Sequence, residues 1–122
     1  MRAERKSLSA SNIRYLLTMK ALVRKGGGVR CVDLANALGH TKPSVHNMTD
    51  TLIRMGLVRR SAYGNSFFTD TGLELAERYA GYYEAVSGLI SGSFPGLDSP
   101  ETAVYSLLAE IPEDKLKKFS GS

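Results

Sequence analysis

Polar side chains that could bind nucleic acid cluster near the start of residues 42–55, a stretch with helical periodicity. Lys42 offers an ammonium group to a phosphate or guanine, and the amide of Asn47 matches the donor and acceptor on the edge of adenine. A solvated polar helix face, which most helices have, is the alternative interpretation. The candidate contact residues are Thr41, Lys42, Pro43, Ser44, His46 and Asn47. For Pro43, a role in shaping the helix start is favoured over a direct contact.

These residues belong to a predicted helix-turn-helix, in which residues 32–38 and 42–55 form two helices joined by a tight turn. Gly39 can adopt the left-handed conformation that ends the first helix. Thr41 is a good N-cap for the second helix, and Pro43 lies in its first turn, where a missing N–H costs nothing. Helices of this type bind in the major groove of DNA, with the N-terminal end at the base edges. The predicted apolar stripe of the second helix comprises Val45, Met48, Leu52 and Met55.

Residues 57–69 are predicted to form a two-stranded hairpin, the wing of a winged helix. Branched and aromatic residues favour strands at both ends, and Gly64-Asn65 favours a tight turn between them. Arg59 and Arg60 are adjacent, so on a strand they point to opposite faces, and at least one is expected to face the phosphate backbone. The candidate contact residues of the wing are Arg59, Arg60, Tyr63 and Asn65.

A long helix is predicted to begin at Thr69 or Asp70 and to be apolar on more than one side. Such a helix needs two partners, and the second is expected to be another copy of the chain. The predicted dimer interface comprises Tyr79, Tyr82, Tyr83, Val86, Leu89 and Ile90. An effector pocket lined by the tyrosines is the alternative. The expected architecture is therefore mainly α with a small β-hairpin: a winged helix-turn-helix over residues 1–70, followed by a linking helix and helical dimerisation region over residues 71–122.

Charge is distributed unevenly over the 122 residues, whose net charge is +4. Residues 1–69 carry 12 basic and 3 acidic side chains, whereas residues 70–122 carry 4 basic and 9 acidic ones. A basic half predicts a polyanion-binding module, and the acidic half predicts a different task for the rest of the chain.

Other features limit the function classes. No apolar run is long enough to span a membrane, and the N-terminal residues lack the apolar core of a secretory signal. The single cysteine, Cys31, fits a reducing cytoplasm and is expected to be a small buried hydrophobe, with a redox-sensing thiol as the alternative. No Ser/His/Asp, paired-carboxylate or Cys/His constellation occurs in the sequence, so an enzyme is not expected.

The stretches VRCVDLANALGHTKPSV, LIRMGLV and FTDTGLELAERY resemble the iron-dependent repressor family (DtxR/MntR-like) of bacterial and archaeal metalloregulators. The resemblance covers residues 9–92 strongly and residues 97–119 weakly. It implies a winged-helix DNA-binding domain, a helical dimerisation part and transcriptional regulation, most simply as a repressor of a double-stranded DNA operator.

The family binds Mn²⁺ or Fe²⁺, but this sequence departs from the family at the matching positions. Residues 12–15 lack an acid, Tyr82 and Tyr83 lie where the linking-helix histidine is expected, and residues 104–108 lack the acidic cluster. Tyr and Leu side chains do not supply the oxygen and imidazole donors that hard ions require. No metal or other cofactor is therefore expected. A metal-responsive repressor with a relocated site, or a winged-helix module that binds protein or RNA, are the alternatives.

Overall fold

The computed structural model describes residues 8–23 and 27–121. The described residues form six helices and one antiparallel pair of strands, in the order expected for a winged helix with a helical extension. The helices are α1 (Ala10–Leu22), α2 (Cys31–Leu38), α3 (Lys42–Arg54), α4 (Asp70–Ser93), α5 (Pro100–Glu110) and α6 (Glu113–Ser120), and the strands are β1 (Val58–Arg60) and β2 (Ser66–Phe68). The helices that the structure describes are too short or too polar to span a membrane.

The chain divides into two compact units, of which the first contains the helix-turn-helix and the wing. This DNA-binding unit comprises residues 14–77, and the helical unit comprises residues 78–121 together with 8–13. The domain boundary near residue 70 stays a prediction. The core of the DNA-binding unit draws on α1, α2, α3, the wing and the start of α4, and includes Tyr15, Leu16, Met19, Leu34, Leu38, Val45, Leu52, Leu57, Val58 and Ala76.

The N-terminus of α1 is fixed by a reciprocal pair of hydrogen bonds. The hydroxyl of Ser9 accepts from the backbone N–H of Asn12, and the Asn12 side chain accepts from the N–H of Ser9. Ser9 is therefore the N-cap of α1. The helix ends at Leu22.

The turn between α2 and α3 forms as the residue types predict. Gly39 has a φ of 72° and its N–H bonds the carbonyl of Ala35, which completes the C-terminus of α2. Thr41 is extended, and its hydroxyl accepts from the N–H of Ser44 at 3.2 Å. These local bonds satisfy backbone groups that a helix end leaves without partners.

The segment before α2 pairs with β2 of the wing. Val29 pairs with Ser66 through two backbone hydrogen bonds of 2.9 and 2.8 Å, as an isolated bridge. The carbonyl of Arg30 already accepts from Asp33 and Leu34, so Cys31 begins α2 instead of extending a strand.

The wing has the predicted antiparallel pairing, with Arg59 opposite Phe67. Its turn is closed by Ser61, whose N–H donates to the carbonyl of Asn65 and whose hydroxyl accepts from the N–H groups of Tyr63 and Asn65. Gly64 has a φ of 86°, a conformation that a side chain would strain.

The junction between the wing and α4 is tightly packed. Thr69 is the cap: its hydroxyl donates to the carbonyl of Gly56 at 2.7 Å and accepts from the N–H of Gly72 at 3.0 Å. A Cβ at Gly72 would overlap the carbonyl oxygen of Leu57 and lie 2.7 Å from its carbonyl carbon. Only glycine allows the first turn of α4 to approach the Leu57 backbone this closely.

In the helical unit, most of the residues predicted for the dimer interface are buried within the single chain. Tyr79, Tyr82, Val86 and Ile90 are at most 7% exposed in the single chain, and Val104, Leu108 and Leu116 are buried as well. The chain's own core therefore accounts for the burial of these four residues. Of the predicted set, Leu89 is 47% exposed and Tyr83 is half-buried.

Candidate nucleic-acid interface

The polar face of α3 lies at the surface of the DNA-binding unit. Val45, Thr49 and Leu52 are buried on one side of the helix, which turns the other side outward. The candidate residues Thr41, Lys42, Pro43, His46 and Asn47 are exposed, and Ser44 is half-buried. The N-terminal half of α3 therefore presents an ammonium, an imidazole and an amide on one accessible surface, the arrangement that binds base edges and phosphates in helix-turn-helix proteins.

A buried polar cluster holds α3 against α1 and the wing. The hydroxyl oxygen of Tyr15, which is fully buried, lies 2.7 Å from that of Thr49 and 3.5 Å from that of Ser66. The Thr49 hydroxyl also donates to the carbonyl of Val45 at 2.9 Å. Burial raises the pKa of Tyr15 above its ordinary value of 10, against the opposing effect of its hydrogen bonds, so the phenol stays protonated.

Sequence reasoning missed this cluster, although one signal for it was present. Thr49 lies four residues after Val45 and three before Leu52, within the buried side of α3. A hydroxyl at such a position needs a partner, because an unpaired buried polar group is costly.

Arg60 points from the wing to α3. Its guanidinium forms an ion pair with the carboxylate of Asp50 at 2.9 Å and donates to the backbone carbonyl of His46 at 3.4 Å. The imidazole Nδ1 of His46 lies 3.5 Å from the other oxygen of the same carboxylate. The structure thus brings two predicted contact residues, His46 and Arg60, together around an acidic group that was not predicted to take part.

Arg59 occupies the opposite side of β1. Its guanidinium carbon lies 4.5 Å from the centre of the Phe67 ring, a cation–π arrangement with its cross-strand partner, and the residue is exposed. Tyr63, at the turn of the wing, is 93% exposed, whereas Asn65 is half-buried. Of the two predicted wing arginines, Arg59 is the one at the open surface.

Cys31 links the two helices of the helix-turn-helix. Its thiol is half-buried and lies 3.9 Å from the backbone carbonyl of Lys42, at the start of α3. The thiol is therefore only partly enclosed, rather than buried as expected from the sequence.

The helical unit does not present the donors of a hard-ion site where the resemblance implies one. The rings of Tyr83 on α4 and Tyr105 on α5 pack with their centres 5.1 Å apart, and Val104 and Leu108 are buried. Within residues 8–23 and 27–121, no three His, Cys, Asp or Glu side chains group closely enough to hold a metal ion. At the positions that the resemblance names, the side chains of Tyr83, Val104, Tyr105 and Leu108 are not the carboxylate and imidazole donors that suit Mn²⁺ or Fe²⁺.

An ionic cluster joins α4 to α6 in the same unit. Arg78 donates to Glu113 at 2.6 Å, and the hydroxyl of Tyr82 donates to the same carboxylate oxygen at 2.7 Å. Burial acts to raise the pKa of Glu113, but the bonds from Arg78 and Tyr82 outweigh it and hold that pKa below its ordinary value. Burial, together with the bond to Glu113, raises the pKa of Tyr82 to about 12.

Comparison with known proteins agrees with this geometry. Residues 11–62 match the family model described as the IclR helix-turn-helix domain. The transcriptional regulator MntR of Escherichia coli is 30% identical over 76 residues, which is 62% of this chain and 49% of MntR.

Two solved structures share the fold. The hypothetical protein SSo2273 from Sulfolobus solfataricus has a TM-score of 0.68 at 22% identity, over 93% of this chain and 88% of that one. The manganese regulator SloR has a TM-score of 0.73 at 16% identity, over 96% of this chain and 55% of that one.

The chain has the winged-helix fold of the DtxR/MntR-like regulators. The predicted fold class and the resemblance to these proteins are thereby confirmed. The matched proteins with a stated function are regulators rather than enzymes, in agreement with the expectation of a non-enzymatic protein. The chain spans about half or less of the length of the curated relatives that it matches.

Proposed function

We propose that this chain is a sequence-specific regulator of transcription that binds double-stranded DNA, with α3 in the major groove and residues 57–69 on the phosphate backbone. The observation that carries the proposal is the outward polar face at the start of α3, held in place by the buried contact between Tyr15 and Thr49. A rigidly supported helix with exposed Lys42 and Asn47 suits direct contact with base edges. The exposed Arg59 suits a flanking phosphate.

The active form is proposed to be a homodimer that represses a near-palindromic operator in the cytoplasm. The helical unit exposes large apolar side chains at Leu89, Phe94, Leu97 and Phe119. Leu89 belongs to the interface predicted from the sequence, and burial of such side chains against a second copy would stabilise a dimer. Two copies would place two α3 helices on successive half-sites of the duplex.

DNA binding is proposed to be independent of a metal ion. The packed rings of Tyr83 and Tyr105 connect α4 and α5 at the positions where the resemblance implies metal ligands. Direct aromatic packing supplies a contact between these helices that needs no ion. Calorimetry with Mn²⁺, Fe²⁺ and Zn²⁺ should therefore show no binding heat, and chelators should leave DNA affinity unchanged; metal-dependent affinity would instead favour a relocated metal site.

Selection of bound fragments from a random duplex pool tests the proposal. We expect enrichment of a two-fold-symmetric motif, and fluorescence anisotropy on that duplex should show tight binding that weakens as salt rises. An unlabelled duplex should compete, whereas RNA of the same sequence should not. Failure to enrich any motif, or competition by RNA alone, would favour a module that binds RNA or protein.

A further inference from the structure

Asp50 and Arg60 form a charge pair at the edge of the candidate DNA-binding face, and their roles differ from those of the other charged residues there. Asp50 is eight residues after Lys42 and four after His46, so the three side chains share one side of α3. A lone carboxylate on this side would repel DNA phosphates. The Arg60 guanidinium lies 2.9 Å from that carboxylate and its side chain is only 25% exposed.

We infer that Arg60 is a positioning residue, which acts through Asp50 and the α3 backbone rather than by contacting phosphate. Three geometric observations carry this inference: the ion pair with Asp50, the hydrogen bond to the carbonyl of His46, and the low exposure of the Arg60 side chain. Together they attach β1 to the middle of α3. The inference rests on the proposed function, because it concerns the same DNA-binding face.

Two consequences follow for the interface. The pair sets the wing at a fixed position relative to α3, so that Arg59 on the other side of β1 is the wing arginine left to contact phosphate. Arg60 also neutralises Asp50, whose other carboxylate oxygen lies 3.5 Å from the Nδ1 of His46. Loss of Arg60 therefore leaves an uncompensated negative charge beside a candidate contact residue, whereas loss of both charges does not.

The experiment compares four variants, Arg60→Gln, Asp50→Asn, the double variant, and Arg59→Gln as the matched control. The probe is a fluorescein-labelled duplex selected with the wild-type chain, and affinity is measured from 50 to 300 mM salt. We expect Arg60→Gln to weaken binding by about tenfold, which is less than the loss on breaking a fully buried charge pair, because the Asp50 side chain is 36% exposed. We expect the double variant to recover only to about threefold below wild type, because no charge is left unpaired but the attachment of β1 to α3 is still lost.

The dependence of affinity on salt separates positioning from phosphate contact. Each phosphate contact contributes about 0.9 to the slope of log affinity against log salt. The double variant should keep the wild-type slope, whereas Arg59→Gln should lower its magnitude by about 0.9. A double variant that binds as weakly as Arg60→Gln, with a slope lowered by the same amount, would overturn the inference and make Arg60 a phosphate contact.

Thermal unfolding keeps this inference testable apart from the proposed function. If the wild-type chain binds no duplex, the proposed function fails. The Tm values of Arg60→Gln, Asp50→Asn and the double variant are then compared with that of wild type. A Tm loss in the double variant that is smaller than the sum of the losses in Arg60→Gln and Asp50→Asn would support the coupling between the wing and α3. Strictly additive losses would overturn it.

Discussion

Replacement of Gly72 by alanine tests the close approach of α4 to the backbone of Leu57. The new methyl group would overlap the Leu57 carbonyl oxygen and lie 2.7 Å from the carbonyl carbon, and these atoms are backbone, which has no rotamer to change. An ordinary carbon–oxygen contact is about 3.3–3.6 Å. The first turn of α4 must therefore move away from Leu57 by about 1.5 Å.

That movement has a cost that follows from the local bonds. The N–H of Thr69 donates to the carbonyl of Leu57 at 3.1 Å, and the Thr69 hydroxyl binds the carbonyl of Gly56, so both bonds lengthen. Forced overpacking costs about 1–3 kcal/mol and a weakened hydrogen bond about 1 kcal/mol, while alanine regains about 1 kcal/mol of helix propensity. We expect Gly72→Ala to lower the free energy of unfolding by about 2 kcal/mol or more, and Tm by at least about 6 °C.

Gly81→Ala is the matched control, because Gly81 lies in the same helix and its added Cβ meets no atom within 4 Å. It should raise stability by up to about 1 kcal/mol through helix propensity alone. Differential scanning calorimetry of the two variants and wild type measures both effects. A Gly72→Ala variant whose Tm lies within about 2 °C of wild type would show that α4 does not approach Leu57 this closely.

Two further changes probe the polar contacts of each unit. Tyr15→Phe removes the buried hydrogen bond to Thr49 and should cost about 1 kcal/mol in urea denaturation; an unchanged midpoint would mean that this bond does not stabilise α3. Glu113→Gln removes a carboxylate whose pKa is lowered in the folded state. The contribution of this carboxylate to the free energy of unfolding is therefore full above about pH 4.5, and it is lost as the pH falls through the pKa of the folded state. The variant should lose about 1 kcal/mol of unfolding free energy at pH 7, a modest amount because Arg78 is partly exposed. Below pH 4.5 its Tm should decline less steeply than that of wild type, and the exposed Glu110→Gln is the control. A decline in Glu113→Gln as steep as in wild type would contradict the lowered pKa of Glu113.

The helix-turn-helix was predictable because its signals are local. Gly39 and Thr41 satisfy backbone groups within three or four residues of themselves, so their residue types alone indicate where α2 ends and α3 begins. The turn of the wing around Gly64 is local in the same way.

The supporting contacts of the candidate site were not predictable, because they join residues far apart in the chain. Tyr15 and Thr49 are 34 residues apart, so the position of Thr49 on the buried side of α3 indicates that its hydroxyl needs a partner without indicating which one. The alternation of side chains along a strand shows that Arg59 and Arg60 diverge, but the partner of each depends on how the wing packs against α3. For the same reason, the periodicity of α4 identified Tyr79 and Val86 as apolar positions without showing that the chain's own core encloses them.

Specificity of DNA binding in Lys42→Ala/Asn47→Ala tests the central claim most directly. The account predicts that the wild-type chain distinguishes its selected duplex from a scrambled duplex, and that the double variant binds both with the same reduced affinity, because the groups that contact base edges are gone while Arg59 remains. Unchanged Tm in the variant would show that the fold is intact. A double variant that still prefers the selected duplex as strongly as wild type would contradict the assignment of α3 as the DNA-recognition helix.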